Sequence, residues 1–229
     1  MWVSFHSVVA ALTVSVVPLV ASAGVVADYT GDFQPNTPKP GWSYLWNANG
    51  PLGNSANYVA LTPTANQGGD YETAIPGSSL AVTATVIIPG IGTTQDPGQI
   101  ERCAILAYTI TAADIANNGH IGYLDDYHFT VPLVSVDGVS ASIFVNNSPI
   151  LPGLPLPPGM DYDRSAPDAY PMPLGVLNPG DTVYVAVGSR FTDNGDQLGI
   201  KYTINLVPEP ASLSILSFVG IALLSRRRR

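Results

Sequence analysis

Residues 178–188 read NPGDTVYVAVG. Pro179 sets a turn-compatible φ and Gly180 tolerates a left-handed one, so the first four residues predict a tight turn. The seven that follow, Thr182 to Gly188, are uncharged and mostly β-branched or aromatic, the make-up of a strand. A turn that delivers the chain straight into such a run belongs to an antiparallel all-β architecture. Working outward, the same grammar recurs. Leu80, Val82, Ala84, Val86 and Ile88 alternate with Ala81, Thr83, Thr85 and Ile87, which predicts one strand of period two. Ile100 to Ile110 is apolar on both faces in its latter half, as a central strand would be. Tyr127, Phe129 and Val131 alternate with His128 and Thr130. Asp137-Gly138 then predicts a turn, with Val139 to Val145 as hairpin partner. Asn146-Asn147 ends that strand, and Ile200 to Val207 is the last. Ala112 to Asn117 is the one helical candidate in the body. Seven prolines fall in the 22 residues from Pro152 to Pro173, which predicts a long surface loop. With neither an internal repeat nor a linker, residues 24–206 are expected to form one antiparallel β-sandwich or jelly roll.

Composition agrees. Hydrophobic residues make up 46% of the 229 and charged ones 11%, with 22 Gly and 21 Pro, whereas disorder favours high charge and low hydrophobicity. Only Glu72, Glu101 and Glu209 are Glu among 17 acids; the rest are Asp, which suits turns. Cut before Glu209 and freed of its first 23 residues, the chain holds 16 acids and 5 bases, a net charge of −11. Such a body is a poor partner for nucleic acid, whose phosphates need Lys and Arg. Cys103 is the single cysteine, so an internally disulfide-bonded module is excluded. Its apolar surroundings predict a buried, inert thiol.

The two ends differ from the body. Val8 to Val20 is an uncharged apolar run followed by Ala21-Ser22-Ala23, the pattern of a signal-peptide core and its A-x-A cleavage site, although no Lys or Arg precedes it. The other end reads Val207-Pro208-Glu209-Pro210, then fourteen apolar or small residues from Ala211 to Leu224, then Arg226, Arg227, Arg228 and Arg229. That apolar run is shorter than the ~20 residues of an ordinary span. The four arginines resist crossing a bilayer and act as a cytoplasmic stop. A signal helix and a C-terminal hydrophobic helix are therefore expected to flank an exported domain, with the membrane as a partner until processing.

Pro-Glu-Pro, a short apolar helix and a terminal arginine cluster, in that order behind a signal peptide, resemble the PEP-CTERM sorting signal. The resemblance covers about the last 22 residues. It implies recognition by an exosortase, a membrane protease, with cleavage near Pro208, Glu209 and Pro210 after signal peptidase has acted. It also implies a Gram-negative bacterium that makes exopolysaccharide, and a destination at the cell surface or outside it. The turns and strands at 126–129, 136–139, 143–147 and 177–185 resemble the jelly-roll sandwiches of carbohydrate-binding and galactose-binding-like domains. That likeness is one of pattern, without a defining binding motif. Residues 41–49, GWSYLWNAN, look like the opening of other exported proteins with this tail, and carry no known activity.

Catalytic motifs are missing: there is no G-x-S-x-G, H-E-x-x-H, C-x-x-C or P-loop. His128 reads as solvent-facing or structural. Asp125 and Asp126 would point to opposite faces of a regular strand and form no dyad. Two features carry hypotheses. Trp42, Tyr44 and Trp46 share one face of a strand and are candidates for stacking on sugar rings; filling a sandwich core is the favoured alternative. Asn47, Asn49, Asn54 and Asn57 would either bind hydroxyls or build a loop. Asp193 and Asp196, with Asp161 and Asp163, offer hard oxygens to a candidate Ca²⁺, but also make ordinary turns. No other cofactor is implied. The expectation is a non-catalytic structural or glycan-associating surface protein. The alternative is a polysaccharide hydrolase using Asp carboxylates.

Overall fold

The computed structural model describes residues 23–64, 70–73, 79–90, 101–135, 137–164, 170–190 and 195–209. Both expected terminal helices lie outside these residues. Among the described residues, no helix is long and apolar enough to cross a membrane.

The first half of the chain holds β1 (Gly24–Asp28), the short helix α1 (Tyr29–Asp32), β2 (Trp42–Trp46), β3 (Val59–Ala60), β4 (Thr62–Pro63), β5 (Tyr71–Glu72), β6 (Ala81–Val82), β7 (Val86–Ile88) and β8 (Ala104–Thr109). Helix α2 (Ala112–Asn118) follows, then β9 (Ile121–Thr130), β10 (Val139–Val145), β11 (Ser148–Leu156), β12 (Asp161–Asp163), β13 (Met172–Val176), β14 (Thr182–Ser189) and β15 (Leu198–Val207). The strands form two sheets. One runs β12-β9-β15-β7-β6-β5-β4, with β1 also on β15 and β13 also on β9; the other runs β11-β10-β14-β8-β2-β3. One apolar core draws on both, with Tyr44, Leu106, Ile143 and Val185 from the second sheet and Val82, Leu124, Phe129 and Ile204 from the first. The all-β, antiparallel expectation holds at this level.

The opening turn behaves as its residues dictate. Asp181 N–H donates to the Asn178 carbonyl at 3.0 Å, and Gly180 takes φ +94°. Beyond it β14 lies between β10 and β8, burying Val183, Val185 and Val187. Strand β8 is buried along nearly its whole length, as a central strand must be. The helix is α2, closed by a capping box in which Thr111 and Asp114 satisfy each other's backbone N–H.

Four expectations need correction. The run Leu80–Ile88 is a hairpin: β6 and β7 pair Ala81 with Ile88 and Val82 with Ile87. The Thr83 hydroxyl accepts from Val86 N–H at 3.0 Å and Thr85 N–H at 3.3 Å, folding the chain where alternation alone reads straight on. Val139–Val145 does not pair with β9. Gly138 carries the chain into the other sheet, where β10 lies between β11 and β14. At φ +86°, a Cβ on Gly138 would sit 2.2 Å from the Leu156 carbonyl oxygen. The proline-rich stretch is not one loop: it contains the end of β11, then β12 and the start of β13, all at sheet edges. Edges tolerate residues that cannot donate to a ladder. Finally, Asp125 and Asp126 do not face opposite ways. The β9–β15 register slips between Lys201 and Thr203, Asp126 takes φ +47°, and both Asp side chains end half-exposed. The extra residue of a bulge resets the alternation.

Candidate functional site

The two chain ends of the described body meet. Strand β1 pairs with β15, placing Gly24 opposite Leu206. The residue after Ala23 therefore lies beside the residue that precedes Val207-Pro208-Glu209. The end of α2 packs against both. A Cβ on Gly24 would fall 1.8 Å from Asn118 Oδ1, and one on Gly119, at φ +92°, would fall 2.3 Å from the Pro208 Cα. Val207 and Pro208 are half-buried and Glu209 is exposed. Ala21, Pro210, Arg226, Arg227, Arg228 and Arg229 lie outside the described residues.

The aromatic stripe is interior. Trp42, Tyr44 and Trp46 are 4%, 2% and 8% exposed. Trp42 meets Tyr108 edge-on at 5.2 Å, and Tyr44 lies 4.5 Å from Tyr71. Tyr29, from α1, stacks on Tyr202 with 5.6 Å between ring centroids and bridges the sheets. The Trp42 indole N–H donates to Asp32 Oδ2 at 3.2 Å. Although burial opposes it, hydrogen bonds from Lys39, the Asp28 backbone N–H and Trp42 hold the Asp32 carboxyl below its usual range. With no face open to a sugar ring, the glycan-platform reading of these three residues gives way to the core reading. The neighbouring asparagines are loop-builders. Asn47 is fully buried: its Nδ2 donates to the Gly50 and Glu101 carbonyls, and its Oδ1 accepts from Cys103 N–H at 2.6 Å. Asn54 caps a short turn, and Asn57 donates to the Pro51 carbonyl.

The outer face of the first sheet carries the charge. Residues directly opposite on neighbouring strands share a face. Row by row away from the chain ends, the pairings place Val176, Ile121 and Val207 first, then Pro173, Tyr123, Asn205 and Val25. Asp125, Thr203 and Asp28 come next, then Asp163, His128 and Lys201, and last Asp161, Thr130 and Gly199. Asn205 Nδ2 donates to Asp125 Oδ2 at 2.9 Å, and Lys201 pairs with Asp126 at 2.5 Å. Asp126, with Asp28 and Asp163 farther off, holds the Lys201 ammonium above its usual range. His128 Nε2 lies 2.5 Å from Asp161 Oδ1, consistent with an outward His. Sequence reasoning missed this cluster because nothing in the residue types marks the bulge.

No family profile, no curated protein and no solved structure matches this chain.

Of the Ca²⁺ candidates, Asp193 lies outside the described residues. Asp196 is fully buried and its Oδ1 accepts from the Ser135 hydroxyl at 2.6 Å. Asp161 and Asp163 belong to edge strand β12. Among the described residues, no three metal-ligating side chains gather. A last group sits on the outer face of the second sheet. Burial pushes the Glu101 carboxyl up to about 7, against hydrogen bonds from Ser140 and Cys103 that favour its charged form. Cys103 is fully buried, as expected, and burial followed by the nearby Glu101 raises its thiol well above the ordinary range, which disfavours the thiolate.

Proposed function

We propose that this is an exported protein of the bacterial surface or extracellular matrix, matured at both ends, whose jelly-roll-like body is structural and non-catalytic. One observation carries the reading. The first and last described strands pair beside the two proposed processing signals: Gly24, next after Ala23, stands opposite Leu206, two residues before Pro208. Every described strand lies between Gly24 and Val207, so removal of either end leaves them whole. The burial of Trp42, Tyr44 and Trp46 favours a structural role over sugar stacking, and leaves the charged outer face as the surface on which exopolysaccharide would associate.

The test is intact mass and fractionation in the native host with and without its exosortase. A mature species from Gly24 to between Val207 and Pro210, lost without the exosortase, is expected. A membrane-bound species that keeps Arg229 in both strains would make the tail a plain anchor and remove the polysaccharide link.

The bulge keeps a second reading alive, that of a hydrolase. It turns Asp125 and Asp126 to one face, with His128 and Asp161 nearby. Release of reducing ends from surface polysaccharide, lost in Asp125→Asn or Asp126→Asn, would favour that reading; no release by the wild type would end it.

A further inference from the structure

The outer face of the first sheet is zoned. Its first two rows are apolar apart from Asn205: Val176, Ile121 and Val207, then Pro173, Tyr123 and Val25. Val25 and Val176 are 60% and 63% exposed, high for β-branched residues on a sheet. The next rows hold Asp28, Asp125, Asp126, Asp163, His128 and Lys201, all groups that must stay in water. The apolar rows lie where the first and last described strands meet in the first sheet, since Val207 belongs to the first row and Val25 follows Gly24. The residues beyond are the apolar runs Val8 to Val20 and Ala211 to Leu224. From Pro208 to Ala211 there are three residue steps, a reach of about 10 Å when fully extended. The polar interfacial layer of a bilayer is roughly 5–8 Å deep on each side. A tail inserted at Ala211 therefore holds this end of the body within about 2–5 Å of the headgroup layer at full extension, and against it at anything less.

We infer that the apolar rows around Val25, Tyr123 and Val176 rest on the lipid headgroup layer while the tail is attached, with the strands standing up from the membrane. This inference rests on the reading of Ala211–Leu224 as a membrane-inserting tail. The zoning supports an end-on seat over a partner that covers the whole face, because the charged rows begin immediately above. Tyr123 combines an apolar ring with a polar tip, as suits headgroup depth. Gly119 lies close against Pro208, so the last described residues before the tail stay at this end of the body.

The test uses the full chain with its tail, in phosphatidylcholine–phosphatidylglycerol vesicles, carrying one nitroxide label. Positions are Val25→Cys, Val176→Cys and, as the far-end control, Leu133→Cys; Leu133 is 84% exposed and follows the opposite end of β9, while native Cys103 is buried. Accessibility to dissolved oxygen, which concentrates in lipid, is compared with accessibility to a water-soluble nickel complex. The expected result is a shift toward oxygen at 25 and 176 on vesicle addition, with none at 133. A chain that pellets with the vesicles yet shows no shift at 25 or 176 overturns the seat and spares the tail reading. A chain that stays in the supernatant overturns both. Shielding at 25 and 176 that needs no lipid and grows with protein concentration assigns the patch to a second copy instead.

Discussion

Trp42 shows how little a residue's type says about which side of a sheet it serves. The spacing with Tyr44 and Trp46 puts three rings on one face, and only what packs against that face decides whether it is wet. Here Tyr29, Tyr71 and Tyr202 cover it. Trp42→Ala is therefore expected to destabilise the fold by about 3–5 kcal/mol. Calorimetry should show a melting point lower by roughly 6–20 °C for a body of this size. Retained stability with lost polysaccharide retention would return the stripe to a binding role. Glu101 makes a second residue-scale prediction. Its folded carboxyl titrates at about 7 against an ordinary 4.5, so between these values the native state holds a proton that the unfolded state has released. Stability from this group is complete below the lower value and is lost as pH rises toward 7, at no more than about 1.4 kcal/mol per pH unit. Glu101→Gln should flatten that decline and be the more stable protein above pH 7, as urea melts across pH 4.5–8 will show. A mutant with the wild-type slope would rule Glu101 out as its source.

At the level of elements, alternation located the strands better than it located their ends. β8, β14 and β15 lie where their apolar runs are. Leu80–Ile88 was harder, because a threonine that alternates correctly can also turn the chain with its hydroxyl. The prolines of β11 and β13 mislead in the opposite sense, since a sheet edge accepts what its interior refuses. Helix α2 was legible as the run Ala112 to Asn117, but its capping box and its place against both described chain ends were not. Gly119→Ala tests that packing. A side chain there meets a positive φ and the Pro208 backbone together, which should cost more than about 1 kcal/mol. If the packing positions the tail, the same variant should also change the rate at which an added protease cuts at Glu209. An unchanged melting point and cutting rate would show that Pro208 is not held there.

At the scale of the molecule, the pairing of β1 with β15 brings the residues beside two proposed processing signals to one point. Intact mass of the matured chain, starting at Gly24, is the direct check that the first of them is used. A species starting several residues later would lack part of β1 and leave Thr203 to Leu206 without a partner on that edge. The residues alone determined the composition class, the all-β character, the buried cysteine and the order of the apolar runs, because these follow from local periodicity and side-chain chemistry. They also placed the candidate processing signals at the two ends. Tertiary structure decided what depends on contacts between segments far apart in the chain. The first sheet and α1, packing over β2, turned the aromatic stripe inward. One inserted residue in β9 gathered Asp125 and Asp126 on one face. The β1–β15 ladder set Gly24 against Leu206 across most of the chain's length. Strand pairing acts at a distance that no local pattern encodes, so a sequence can announce its strands without announcing their neighbours.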